Sequence, residues 1–205
     1  AGYRARDYAG DPRFNDYLNT VAYTDRFIGK LHAGLFERGL LENTIFVVIG
    51  DHGEAFGEHG RTQHDNVIWE EGLRVPLILS GPGVGPPGRV VEGLFQSIDV
   101  APTIARLVGL PAPPAWVGVD LLESAGHERL FFSCWHDDTC MAMREGARKA
   151  IYHYGEPETV VHDVVADPLE TEDMSHEGDH AAFAEAAVEA MFQWRTATNG
   201  RYAGL

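Results

Sequence analysis

The feature that most constrains this chain is a short apolar run followed at once by a glycine-rich loop that carries acids and imidazoles. Residues 45–49 form an unbroken β-branched and aromatic run, which is typical of a buried parallel strand. Gly50 ends the run, and Asp51 and His52 follow where open α/β sheets place their ligands. His64 lies further along the same segment. Carboxylate and imidazole groups together suit a divalent metal, so the sequence predicts a metal site here.

The other polar residues of this loop have two readings each. An Asp-His-Gly triplet alone is a weak signal, because Asp and Gly are ordinary turn residues. Its place after a predicted strand and the presence of His64 strengthen the metal hypothesis. His59 is a weaker candidate, since it can equally be a solvated loop histidine. Glu54 and Glu58 are either partners that hold imidazole tautomers or plain surface carboxylates.

The pattern on either side of this loop predicts an α/β arrangement. Asp11 and Pro12 are a helix cap and first-turn proline, and apolar residues recur at three- and four-residue steps until Gly39. This predicts one long amphipathic helix that leads into the strand. A second buried strand is expected over residues 74–79, and a further helix is expected from residue 97.

The last third of the chain has a different pattern of apolar segments and turns. Short strand-like pieces separated by turns predict an antiparallel sheet, and an alanine-rich segment predicts a terminal helix that covers it. We expect a boundary near Gly126. Residues 1–126 would then form a helix-flanked, mainly parallel α/β lobe, and residues 127–205 a small antiparallel-sheet and helix subdomain.

Composition excludes some function classes. A net charge of −15 and a pI near 4.9 argue against a nucleic-acid or anionic-membrane surface, which would need a basic patch. An anionic ester substrate stays possible, because a bound metal can reverse the local field. No apolar run approaches the length of a membrane span.

The two cysteines leave three alternatives open. Cys134 and Cys140 are close enough in sequence to close a small disulfide loop, which is the reading we favour. They could also be two buried thiols, or a metal site with His136.

Several segments in order resemble the sulfatase family, which belongs to the alkaline-phosphatase-like superfamily of metal-dependent hydrolases and transferases. They are residues 17–25, 39–44, the strand with Gly-Asp-His-Gly, 69–78 and 161–171. The resemblance implies a partial alkaline-phosphatase-like fold and a divalent metal cofactor (calcium, zinc or manganese). It also implies a small sulfate or phosphate ester substrate and a periplasmic or secreted parent protein.

The resemblance assigns roles to individual positions. It implies that Asp51 and His52 bind the metal. His64 stands where true sulfatases usually have a lysine that contacts the ester. His64 is therefore expected to be a metal ligand, a substrate contact or a catalytic proton donor. A histidine at this position favours a phosphate ester as the substrate. His59 and Arg74 are expected to contact substrate, although an ion pair with a neighbouring glutamate is the stronger expectation for Arg74. The resemblance also makes Trp135 and His136 candidates for the border of a substrate pocket.

One part of the family pattern is absent. The family's nucleophile lies on an N-terminal Cys/Ser-x-Pro-x-Arg motif or on a threonine, and the chain has no such motif. We therefore expect the C-terminal half of a larger ester hydrolase, inactive alone and partnered by the missing half. The alternatives are part of a phosphoethanolamine- or phosphoglycerol-type transferase, or a noncatalytic binding module.

Overall fold

The computed structural model describes residues 5–7, 10–65, 67–134, 139–156 and 158–202. The chain divides into two compact units. One contains the residues up to Ile49 together with Leu77–Arg89, and the other contains Gly50–Pro76 and the residues from Val90 onward. Among the described helices, none is both long enough and apolar enough to cross a membrane.

The first unit contains the predicted long helix and two strands. Helix α1 spans Pro12–Glu37, strand β1 spans Phe46–Ile49 and strand β2 spans Leu77–Ser80. The Asp11 carboxylate accepts a hydrogen bond from the Phe14 amide at 2.8 Å, which caps the first turn. Gly39, at a φ of 65°, ends the helix as expected.

The prediction that residues 45–49 form a parallel strand is wrong in its direction. Strands β1 and β2 pair antiparallel, with Phe46 opposite Ser80 and Ile49 opposite Leu77. The expected burial is also missing, since Ile78 is 60% exposed. An apolar run predicts a strand but does not encode the direction in which that strand pairs with its neighbour.

The apolar face of α1 is exposed in this structure. Among the recurring apolar residues, Val21 and Leu31 are 48% and 58% exposed. Ile28 and Leu35 are partly buried, and Asn19 is the buried residue of the helix. The periodicity therefore predicted the helix correctly, whereas the burial it suggested is not supplied by the described residues of this unit.

The second unit confirms the predicted antiparallel sheet and terminal helix. Its strands are β3 (Arg129–Ser133), β4 (Cys140–Glu145), β5 (Arg148–His153) and β6 (Val160–Asp163), paired antiparallel in that order. Helix α4 (His180–Tyr202) packs on one face through Phe183, Ala187 and Met191. The unit also contains the short helix α2 (Glu70–Leu73) and helix α3 (Val100–Leu107).

The two sides of the predicted boundary at Gly126 are joined by hydrogen bonds. The fully buried Asp99 carboxylate accepts from the Gln96 and Val119 amides and from Nε2 of His127 at 2.8 Å. The compact units therefore divide elsewhere, and a division into residues 1–126 and 127–205 stays a prediction.

The cysteine loop takes the form that we favoured. Cys134 and Cys140 form a disulfide with their Cα atoms 5.2 Å apart. Both cysteines are buried and pack in a cluster with Ile68, Ala142 and Ile151. Trp135 and His136, which were candidates for a pocket border, lie outside the described residues.

A group of buried charges joins α2 to the sheet. Lys149, on β5, is fully buried, and its Nζ lies 3.2 Å from Glu70 Oε1 and 2.9 Å from Glu170 Oε1. Arg144 on β4 reaches the other Glu70 oxygen at 3.3 Å. Glu170 Oε2 also accepts from the Glu70 amide at 2.6 Å. The two cations balance the charge of the two carboxylates, which makes their burial tolerable.

We expect Lys149→Met to destabilise the protein by about 3–5 kcal/mol, because it leaves two buried carboxylates without their shared cation. Urea unfolding measures the change in the free energy of unfolding. The matched control is Lys30→Met, which replaces the chain's other lysine on exposed helix α1. A loss no larger than that of the control would contradict a structural role for the buried charges.

Candidate functional site

The loop after β1 is shaped by a close backbone contact with α2. The Gly53 amide donates to the Gly72 carbonyl at 2.8 Å. A Cβ at Gly53 would lie 1.8 Å from the Glu71 carbonyl oxygen, so only glycine fits here. This contact fixes the backbone between Asp51 and Glu54, which carries most of the polar groups of the candidate site.

His52 presents one ring nitrogen away from the backbone. Its Nδ1 donates to the Gly53 carbonyl at 2.8 Å, which leaves the Nε2 lone pair available to a ligand. Nε2 lies 3.6 Å from the Oδ2 atom of Asp51, whose side chain is 89% exposed. The His52 amide donates to Asp51 Oδ1 at 3.0 Å and holds the pKa of that carboxyl below its ordinary value.

His64 is oriented in the same way by a carboxylate. Its Nδ1 donates to Glu54 Oε2 at 2.9 Å, and this hydrogen bond raises the pKa of His64. Its Nε2 lies 3.9 Å from Asp65 Oδ1, beyond hydrogen-bond distance, and is the nitrogen left for another partner. The His52 and His64 rings stack with centroids 4.1 Å apart. The structure thus brings together residues that are twelve positions apart in sequence.

These side chains form a group that could hold a metal ion. One donor atom from each of His52, Glu54 and His64 lies within 4.8 Å of the others. Glu54 was expected only as a possible partner for an imidazole, and its hydrogen bond with His64 agrees with that role. Asp51 lies outside this group but next to it, through its contact with His52.

The two predicted substrate contacts have different surroundings. His59 is 17% exposed at its side chain, and both its ring nitrogens face oxygens of Glu71 and Glu170. In this conformation neither nitrogen is left for a substrate. The side chain of Arg74 is exposed. Among the described residues, no ion pair joins Arg74 to Glu70 or Glu71. Glu70 instead contacts Lys149 and Arg144, and Glu71 contacts His59.

Comparison with known proteins gives one consistent answer. The family model described as Sulfatase matches residues 2–110. Steryl-sulfatase of Rattus norvegicus is 35% identical over 149 residues, which cover 62% of this chain and 26% of that protein. Choline-sulfatase of Rhizobium meliloti (strain 1021) is 30% identical over 191 residues, which cover 88% of this chain and 36% of that protein.

A solved structure extends the comparison to the fold. The structure of BT4656 in complex with its substrate D-glucosamine-2-N,6-O-disulfate matches with a TM-score of 0.76 and 26% identity. The match covers 93% of this chain and 41% of that one, so the chain spans less than half the length of the relatives compared. The predicted resemblance and the predicted partial fold are confirmed, and the chain belongs to the sulfatase family.

Proposed function

We propose that this chain supplies the metal-binding part of the active site of an enzyme that hydrolyses sulfate esters. The observation that carries the proposal is the matched orientation of two imidazoles in a sulfatase-family chain. His52 and His64 each donate from Nδ1 to an oxygen, and each therefore has an Nε2 lone pair available. With the Asp51 carboxylate, this is the donor set that the sequence predicts.

The chemistry of these donors fits a divalent metal. The carboxyl of Asp51 has a lowered pKa, because the His52 amide donates to it, so it is anionic at neutral pH as a ligand must be. Two imidazoles with one carboxylate favour zinc or manganese over calcium, which prefers six or more oxygens. Glu54 would orient His64, in the way that carboxylates commonly orient metal-binding histidines.

The residues have separable roles in ester hydrolysis. A bound divalent metal would offset the charge that develops on the oxygens of a sulfate or phosphate group. Asp51 and His52 would hold it, and His64 would complete the site from the second part of the loop. The raised pKa of His64 also suits the rival role of proton donor to the leaving oxygen, which the variants below distinguish.

We further propose that the part of the sulfatase fold beyond these residues supplies the nucleophile and covers α1. The exposed apolar residues of α1 and the absence of a Cys/Ser-x-Pro-x-Arg motif support this proposal. The 205 residues alone would then have little or no turnover. The disulfide between Cys134 and Cys140 supports a periplasmic or secreted location of the parent protein.

Calorimetric titration with zinc, manganese and calcium tests the metal site. We expect zinc or manganese to bind, with binding lost in Asp51→Ala, His52→Ala and His64→Ala. Glu54→Gln should weaken affinity by about 10–100-fold, because it removes the orienting carboxylate. His176→Ala, which removes an exposed imidazole elsewhere, is the matched control.

The titration can contradict the proposal in two ways. Binding that survives in Asp51→Ala and His52→Ala would place the metal elsewhere. Binding lost in those variants but kept in His64→Ala would assign His64 to the substrate or the leaving group instead of to the metal.

The second candidate function is phosphoester hydrolysis or transfer. It is favoured by a histidine at position 64, where the family resemblance leads us to expect a lysine. The protein that contains this chain can be assayed on 4-nitrophenyl sulfate and 4-nitrophenyl phosphate, which share one leaving group. We expect faster hydrolysis of the sulfate, and a preference for the phosphate would favour the second candidate.

A further inference from the structure

The loop that carries the candidate metal ligands also presents a cation, Arg61. Acidic residues outnumber lysines and arginines by 31 to 16 in this chain, so acidic partners for an arginine are plentiful. The side chain of Arg61 is nevertheless exposed, and in the described part of the chain no acidic group forms an ion pair with it. Nearby acids have other contacts, since the Glu58 carboxylate accepts from the Phe56 amide and Asp65 lies beside His64. The Arg61 guanidinium is therefore available to an anion that comes from outside the chain.

The turn that presents Arg61 is held in place by its neighbours. The Arg61 amide donates to the Glu58 carbonyl at 2.8 Å, directly after the turn at His59, whose φ is 51°. The His59 ring stacks on Trp69 with centroids 3.8 Å apart, and its Nδ1 lies 2.9 Å from Glu71 Oε1. The backbone of Arg61 is thus anchored next to helix α2, which lowers the cost of ordering the side chain around a ligand.

A second basic side chain, that of His153 at the end of β5, lies near Arg61. Side chains alternate along a strand, so His153 is on the same face of the sheet as Ile151. Ile151 packs in one cluster with Ile68, which follows His64 by four positions in the chain. This face of the sheet therefore meets the segment that comes directly after the candidate ligands.

The two basic groups are close enough to affect one another. Burial of the His153 ring lowers its pKa, and the charge of Arg61 lowers it further, while Glu156 acts in the opposite direction. His153 is partly exposed, and an imidazole has at least one N–H in either charge state, so it can donate to an anion. Arg61 adds a planar fork of N–H groups that matches a sulfate or a carboxylate. Two such donors side by side can bind an oxyanion.

The end of β5 is also fixed by its surroundings. His153 pairs across the sheet with Cys140, which is bonded to Cys134. One residue further on, the Tyr154 amide donates to the Thr139 carbonyl at 3.0 Å and extends the pairing of the two strands. Both donors are therefore presented by backbone that is held by hydrogen bonds.

Arg61 lies close to the candidate metal ligands along the chain. His64 is three positions further on, and three residues span at most about 10 Å. A small molecule that reaches both the metal site and Arg61 would therefore carry its two anionic groups on the order of 10 Å apart or less.

We propose that Arg61 is a specificity-determining residue that, together with His153, binds a second anionic group of the substrate beside the ester that is hydrolysed. The substrate class is then a sulfate ester that carries a further sulfate or carboxylate. The consequence for substrate choice rests on the function proposed above, whereas the binding of an oxyanion by Arg61 and His153 does not.

Oxyanion binding can be measured by ¹H–¹⁵N NMR on the purified protein without metal, titrated with sodium sulfate or sodium acetate at constant ionic strength. We expect a saturable shift of the Arg61 Nε–H signal and of the His153 amide signal, and the anion that binds more tightly identifies the second group. Arg61→Gln should abolish the shift at His153. Arg61→Lys keeps the charge but loses the planar fork, and it should bind the anion about 10-fold more weakly.

The control for this titration is Arg201, an exposed arginine near the end of α4. Arg201→Gln should leave the shifts at Arg61 and His153 unchanged. The absence of a saturable shift at Arg61 with either anion would overturn the inference. An equal shift at Arg201 would show an adventitious ion only, and would overturn it as well.

Matched substrates test the effect on specificity. The sulfate ester 4′-carboxybiphenyl-4-yl sulfate and its carboxamide differ in charge on the ring that is remote from the ester. We expect the protein that contains this chain to prefer the carboxylate, through a lower KM. Arg61→Gln should reduce the ratio of the two kcat/KM values by about 10-fold, because it removes a hydrogen bond to a charged group. The absence of a preference in the wild-type protein, or a preference unchanged in Arg61→Gln, would overturn the specificity role.

The outcomes separate this inference from the proposed function. Anion binding at Arg61 in a protein that hydrolyses no sulfate ester would contradict the proposed function and leave the oxyanion site standing. Hydrolysis of both esters without anion binding at Arg61 would overturn the inference and leave the proposed function standing.

Discussion

The candidate site depends on the buried cation of Lys149. A fully buried lysine is costly unless carboxylates surround it, and here Glu70 and Glu170 approach it from two different segments. Their attraction fixes helix α2 against strand β5 and fixes the loop that carries Glu170. Without Lys149, two acids would be left in an apolar interior. The position of α2 is therefore set by charge as well as by packing.

Helix α2 in turn supports the loop that carries the candidate ligands. The Gly53 amide bonds to α2 through Gly72, and Glu71 on the same helix contacts His59. The loop is thus held at Gly53 and at His59 by neighbouring residues of one short helix. Glu54, which lies between these two points, accepts a hydrogen bond from His64. The His64 ring stacks on the His52 ring. This gives a physical route from a buried ion pair to the orientation of two exposed imidazoles.

Local patterns predicted the elements and missed the long-range contacts. The cap at Asp11, the antiparallel sheet and the loop after β1 all follow from residues close in sequence. The antiparallel pairing of β1 could not be predicted, because an apolar run has no direction. The contact between His59 and Glu170 joins residues 111 positions apart, and nothing near His59 in the sequence identifies its partner. The burial of Lys149 was missed for the same reason.

The proposed function requires that two imidazoles and a carboxylate of the loop after β1 bind a divalent metal. X-ray absorption spectroscopy of the zinc-loaded protein tests this most directly, because imidazole rings produce outer-shell scattering that oxygen ligands do not. We expect scattering from two imidazoles in the wild-type protein, and only the spectrum of unbound zinc in His52→Ala, which loses the site. A spectrum without imidazole scattering, or one unchanged by that substitution, would contradict that requirement.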